Sequence, residues 1–480
     1  MLKSLDWEES ASFECKRLAG GKLSRVLESI VAFANTEGGV IALGLEDPGK
    51  ARGRARIFGV DEKRENLDEL KRMCVERVTD SALLKLQLLS FECSLRDGSK
   101  GTVCYLSVPK SACVHSVVGG GTFVRLDKSN RQLSAREITE LAFARGVVSA
   151  ESGLVDVAVD LLQTDHWELY ATRRRLTRAL PDALRHLGLA KSDAEGRLKP
   201  IRAAVLLFAD DPSALLGEKA ALRVLHYQGA TAHATAQPNL IRPPVTVTGP
   251  LYAQIRDATS TVMGELARGV QLDQRGLQVV QLFPDRVVLE AITNAVIHRD
   301  YRLPMDTQVR IFSDRIEVES PGLLPGPVTA DNISRVGTHA RNPVISNHLR
   351  EFPDPPNLDA GEGVRMMFGE MWARGLYPPI YFTRPQLSRE AVRVVLLNEH
   401  RPTLWEMASS FIDREGSIAN ADLRLLMETD SSLKASKQLK SWVERGLLVV
   451  SNPNAGKKSR RYTKPGKSAQ LFSTPVEENS

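Results

Sequence analysis

The chain is poor in cysteine: its 480 residues hold five, Cys15, Cys74, Cys93, Cys104 and Cys113, an odd set without a C-x-x-C pair. That pattern excludes a disulfide framework or a cysteine-only zinc site and leaves reduced, buried thiols as the expectation. No stretch approaches the roughly 20 uninterrupted apolar residues of a membrane helix, so a membrane span is not expected. The opening residues, MLKSLDWEESASFECKR, lack the basic end, apolar run and small-residue cleavage site of a secretory signal. A cytoplasmic location follows as the expectation. No internal repeat is visible, which sets aside a repeat array.

The hydrophobic content of 42% and charged content of 25% are ordinary for a globular protein, and the length suggests roughly three domains. A net charge of +6 says little by itself, but its distribution says more. Between Lys434 and Lys467 lie ten lysines and arginines against the single acid Glu444. Concentrated charge of one sign attracts a phosphate backbone through counterion release.

Periodicity and turn residues give a coarse α+β multidomain plan. Residues 1–146 read as one α/β unit with a helix over 23–34, strands over 40–45, 101–108 and 122–126, and a closing helix over 135–144. Residues 147–200 read as an arginine-rich helical connector. Residues 201–398 read as a small α/β segment followed by a larger domain, with buried strands over 203–208 and 222–227, helices over 251–267 and 286–297, and strands over 308–312, 315–318 and 392–397. The segment 320–363, rich in Gly, Pro and Asn, reads as a long functional loop. Residues 399–465 form a separate module and 466–480 a polar, disordered tail.

That C-terminal module has the layout of a winged helix-turn-helix. Helices are expected over 404–414, 420–427 and 431–445, the last offering Leu433, Leu439, Trp442 and Val443 to a core. A β pair over 447–450 and 460–462 then brackets the wing. A helix-turn-helix puts its second helix in the major groove. Here that helix carries Lys434, Lys437 and Lys440 at i, i+3 and i+6, roughly one face. With Lys457, Lys458, Arg460 and Arg461 from the wing they form the candidate nucleic-acid surface, supplying affinity for phosphates and no sequence code. A winged helix can equally mediate protein contacts, and a charge run can be a solvated face.

Residues 286–301 carry the most chemistry. Glu290 and Asn294 stand at i and i+4 on an otherwise apolar helix. A nucleotide site would use both: the amide oxygen of Asn294 to hold Mg²⁺, Glu290 to orient or deprotonate the attacking water. The run EAITNAVIHRDY resembles the N-box of the GHKL ATPases, in the branch of bacterial ATP-binding proteins labelled RecG-helicase-related or as transcriptional regulators. The resemblance extends to Ser320-Pro321-Gly322-Leu323-Leu324-Pro325, to Arg341-Asn342-Pro343 and to Gly361-Glu362-Gly363. It implies a GHKL-like α/β sandwich that binds ATP through Asn294, Ser320, Gly322, Arg341, Asn342, Gly361 and Gly363, with Glu290 catalytic. Glycine amides at a helix start suit a phosphate. Where GHKL sites read adenine with an Asp, this chain has Ser320, with Glu317 and Glu319 nearby. A degenerate site kept as a scaffold or dimer interface is the alternative.

At the N-terminus, Glu9, Glu14 and Lys16 precede the run AFANTEGG (residues 32–39) and a strand ending at Glu46-Asp47. Converging carboxylates can hold a divalent metal, with Lys16 steadying charge on a phosphate. Equally, these residues can be surface ion pairs, with Asn35, Gly38 and Gly39 serving a turn. The pattern, with Gly121-Thr122-Phe123-Val124-Arg125, resembles the Schlafen-type AlbA domain. That resemblance implies nucleic-acid binding and, in some members, metal-dependent endoribonuclease activity, whose two Glu and one Asp fall on Glu9, Glu14 and Asp47, with Glu46 as a substitute.

The expectation is therefore a bacterial protein binding ATP, Mg²⁺ or Mn²⁺, and DNA or RNA, most simply a regulator whose DNA binding depends on nucleotide state. GHKL domains commonly dimerise around ATP, so a dimer or higher homo-oligomer is expected. The alternative is an ATP-gated Schlafen-like nuclease acting on RNA, tRNA or DNA in defence against phage.

Overall fold

The computed structural model describes residues 8–19, 22–233, 238–267, 270–273, 276–279, 283–337, 339–357, 361–384, 386–452, 456 and 459–465. They form a mixed α/β, multidomain chain with two compact units, one ending at Glu399 and the other starting at His400. The expected boundaries at residues 146 and 200 fall inside the first unit.

The N-terminal part of that unit is a four-stranded sheet in the order Phe13–Lys16, Gly39–Leu43, Lys100–Val108, Gln87–Ser94. The first two strands are parallel and the remaining pairs antiparallel. The helix Leu23–Ala34 forms because Leu23, Val26, Leu27, Ile30, Val31 and Ala34 recur at helical spacing, and this stripe packs on the sheet with Leu43, Leu106 and Val108. The chain then turns at Gly38 (φ +82°), where a Cβ would lie 2.9 Å from the Val108 carbonyl oxygen. The helix Ala135–Arg145 starts at a reciprocal Ser134–Glu137 capping box and stops at Gly146.

The second sheet has six strands in the order Val245–Val247, Leu222–His226, Thr307–Ile311, Arg315–Pro321, Ala391–Leu397, Ile380–Phe382. Leu222–His226 and Thr307–Ile311 are parallel; the other pairs are antiparallel. The helices Leu251–Ala267 and Asp285–Ile297 contribute Leu251, Ile255, Val262, Val287, Ile292 and Val296 to its core.

Two expectations fail here. Residues 203–208 are the helix Arg202–Phe208, not a strand. Every side chain from Ala203 to Phe208 is buried, so the run has no polar face and hence no period to tell helix from strand. The long loop over 320–363 is interrupted by the helix Pro343–Leu349. The buried Glu151 carboxylate caps it, accepting from the Val344 and Ile345 amides at 2.8 Å, a partner invisible in the local sequence.

From His400 onward, the helices Leu404–Glu415, Asn420–Leu426 and Ser432–Glu444 pack around Ile412, Leu423, Leu439 and Trp442. A small sheet orders Ile418–Ala419, Arg461–Thr463 and Val449–Val450. Leu433, expected in this core, is 67% exposed; Ala435 takes the inward position. Lys457, Lys458 and the expected tail 466–480 lie outside the described residues. Among the described residues no helix is long and apolar enough to cross a membrane. All five cysteines are free thiols, with Cys15, Cys74 and Cys104 buried and Cys93 and Cys113 partly exposed.

Candidate functional site

The helix Asp285–Ile297 follows Pro284, which has no amide hydrogen to lose, and carries Asp285 in its first turn where the helix dipole favours a negative charge. Val287, Val288, Ala291, Ile292, Ala295 and Val296 bury its apolar side. Arg286, Glu290, Asn294 and, just past the helix, His298 recur every four residues along the remaining stripe. All four line a cavity of about 790 Å³, large enough for a drug-sized ligand. Asn294 Nδ2 donates to Glu290 Oε1 at 2.8 Å. Burial pushes the Glu290 carboxyl above its ordinary pKa, against the opposing effects of Asn294 and Arg286. Burial likewise lowers His298 to about 4, helped by neighbouring Arg341, so its ring is neutral at pH 7.

Glycines line the same cavity. A Cβ on Gly363 would sit 1.8 Å from Glu290 Oε1, so only glycine lets the helix Gly363–Ala373 begin beside that carboxylate. Gly322 (φ +108°) is packed so that a Cβ would meet the Asp300 side chain at 2.9 Å. Gly361 also lines the cavity, as do Val318, Tyr381, Val392 and Val394 from the sheet.

Of the residues expected around a nucleotide, Glu290, Asn294, Ser320, Gly322, Gly361 and Gly363 therefore come together. Ser320 spends its hydroxyl on the Ala295 carbonyl at 2.6 Å. Glu317 and Glu319 are engaged with Arg310, Arg315, Arg389 and Arg393 and do not line the cavity. Arg341 and Asn342 stand apart from the cavity lining too. The Arg341 guanidinium is buried and donates to the carbonyls of His298, Phe143, Ala144 and Leu323. Asn342 Nδ2 donates to Ile297 and Arg299 carbonyls, both at 2.8 Å, closing the end of the Glu290 helix. Both side chains tie backbone carbonyls together beside the cavity. Sequence reasoning passed over Arg286 and His298, although the four-residue spacing from Glu290 and Asn294 pointed to them.

The N-terminal carboxylates are differently disposed. Glu14 is buried and paired with Lys16 and with Arg125 Nη1, the latter at 2.9 Å. Arg125 also donates to Asn130 Oδ1 and to the Ser10 carbonyl. Glu9 Oε1 accepts from the Cys15 amide at 3.1 Å, and burial raises its pKa with Glu14 and Asp47 adding to the effect and Lys16 opposing it. Asp47 Oδ1 accepts from the Gly49 amide at 2.7 Å, in a turn, and Glu46 meets Arg17 and Lys50. Glu9, Glu14 and Asp47 thus share a neighbourhood. Among the described residues, however, no group of three or more His, Cys, Asp or Glu is arranged to hold a metal ion. Glu14 already pairs with two cations, Lys16 and Arg125.

In the unit from His400 onward, Lys434, Lys437 and Lys440 are exposed along the helix Ser432–Glu444, and Lys440 meets Glu444 at 3.5 Å. Asn420 Nδ2 donates to the Ser432 carbonyl and Ser436 Oγ, fixing the start of this helix against its predecessor. Arg461 is exposed and reaches Ser417 Oγ, while Arg460 is partly buried.

Residues 9–134 match the family described as "Schlafen, AlbA_2". Residues 305–396 match the family described as "Putative ATP-dependent DNA helicase recG C-terminal", a stretch that begins just after the Glu290 helix. No curated protein matches. Among solved structures, the DIP2311 protein from Corynebacterium diphtheriae is similar at 18% identity over 96% of this chain and 93% of that one, with a TM-score of 0.41, a likeness too distant to bear on function. The chain thus holds a segment similar to the Schlafen AlbA_2 family and a second similar to the recG C-terminal family, a pairing that suggests nucleic-acid-related, ATP-associated function.

Proposed function

We propose that the protein is a nucleotide-controlled nucleic-acid-binding regulator that takes Mg-ATP into the 790 Å³ cavity and DNA onto the lysine face of its C-terminal winged helix. The observation that carries this reading is the stripe Arg286, Glu290, Asn294 and His298 lining one cavity together with Gly322, Gly361 and Gly363. The amide oxygen of Asn294 would hold the metal, its nitrogen donating to Glu290 Oε1. Gly361 and Gly363 let a phosphate approach the backbone without a Cβ in the way, while the Gly322 amide donates to the Glu390 carbonyl at 3.0 Å. Bound Mg²⁺ supplies neutralisation of phosphate charge. Glu290, with its raised pKa, orients a water and accepts its proton.

Titration calorimetry with Mg-ATP tests the site. Wild type binds, Asn294→Ala loses binding, and Glu290→Gln binds but releases no phosphate. Equal affinity in wild type and Asn294→Ala would reject it. The nuclease alternative has less support, because Glu14, which it needs as a ligand, is neutralised by Arg125 and Lys16.

A further inference from the structure

We propose that the N-terminal Schlafen-type domain completes the nucleotide cavity, with its Lys110 and Arg145 as positioning residues for the loop of residues 322–328. This rests on the nucleotide reading above. Gly322, Leu323, Leu324, Pro325 and Val328 line the cavity, yet the loop that carries them has no strand or helix of its own. Its carbonyls are held by buried cations instead. Lys110 Nζ donates to Leu324 O at 3.3 Å and Val328 O at 2.9 Å, Arg145 Nη1 to Gly326 O at 3.0 Å, and Arg341 Nη2 to Leu323 O. The Gly326 amide returns a bond to the Arg145 carbonyl at 3.0 Å.

The same charged groups are also anchored on one turn of the Schlafen-type sheet. Lys110 Nζ meets Glu37 Oε1 at 2.9 Å, and Arg145 Nη2 meets the Thr36 carbonyl at 2.7 Å and the Ala34 carbonyl at 3.4 Å. This turn is the AFANTEGG run that the sequence singled out. Burying a cation is unfavourable unless its donors are satisfied, and here the loop carbonyls of Leu324 and Val328 satisfy two of the Lys110 donors. If the loop moves away, Lys110 keeps Glu37 and loses both carbonyls. The wall of the cavity and the charge state of Lys110 are therefore linked.

Three N–H donors on the Lys110 ammonium serve three partners, so loss of the proton removes one bond. Burial lowers the Lys110 pKa to about 8; Arg145 and Arg341 push the same way, and Glu37 opposes. Mg-ATP affinity of the wild type is expected to fall as pH rises through about 8. Lys110→Arg, which stays charged, flattens that fall. Lys110→Met weakens affinity about tenfold at pH 7, the size of one charged hydrogen bond. Glu37→Gln, at an exposed position, keeps the fold and moves the pH midpoint downward.

Titration calorimetry from pH 6.5 to 9 on the folded full-length variants decides it, together with hydrogen exchange of the loop amides. Faster exchange over residues 323–328 in Lys110→Met, with the helix Asp285–Ile297 still protected, supports the proposal. If Lys110→Met binds Mg-ATP as wild type does, or the pH midpoint ignores Glu37→Gln, Lys110 is merely structural and the proposal fails. If wild type binds no nucleotide at all, the nucleotide reading fails and takes the proposal with it.

Discussion

Glu290 holds its proton more tightly in the folded protein than in the unfolded chain, because burial disfavours its charge. Its contribution to stability is therefore most favourable below the ordinary carboxylate pKa, and it is lost as pH rises through the raised folded value. The same shift moves proton acceptance to higher pH. Phosphate release is expected to climb with pH along a limb whose midpoint lies above that of an ordinary glutamate, and denaturant midpoints of Glu290→Gln should vary less with pH than those of wild type. Glu14 forms an ion pair with Arg125 whose two side chains are nearly inaccessible. Arg125→Met leaves the carboxylate with Lys16 alone, and urea unfolding should show a loss of about 3 kcal/mol. A loss under 1 kcal/mol would show that Lys16 and water suffice.

Among the elements, the helix Ser432–Glu444 owes its lysine face to packing on the other side, where Ala435, Leu439 and Trp442 are buried and Trp405 meets Trp442 edge-on at 5.2 Å. Lys437→Ala should weaken DNA binding across sequences and lower the slope of log affinity against log salt by about one. An unchanged slope would place the phosphate contacts elsewhere. The preceding helix Leu404–Glu415 begins with a Thr403–Glu406 capping box. Thr403→Ala should cost about 1 kcal/mol, seen by calorimetry as a Tm about 4–8 °C lower for the transition of this unit. Both helices were legible because their apolar residues repeat at helical spacing. The helix Arg202–Phe208 was not, since a short run buried all round has no polar face to set its period.

For the whole molecule, the consequence of Lys110, Arg145 and Arg341 is that the N-terminal sheet and the 790 Å³ cavity belong to one compact unit, while the chain from His400 forms another. Truncation after Glu399 should therefore leave Mg-ATP affinity within about twofold of full length while abolishing the lysine-dependent DNA binding. A truncated protein that no longer binds nucleotide would show that the two units depend on each other.

The sequence by itself determined the features whose physics is local. These are the periods that make helices, the run of bases after Lys434, the glycines, and the four-residue spacing that sets Glu290 and Asn294 on one stripe. Tertiary structure alone decided which charges are free. Glu14 meets Arg125 across 111 positions, Lys110 meets Leu324 across 214, and the Arg341 guanidinium holds backbone carbonyls of Phe143 and Leu323. Spacing along the chain encodes the face a side chain occupies. The partner it finds there is fixed only when sheets and loops distant in sequence close around it, and desolvation then makes pairing obligatory.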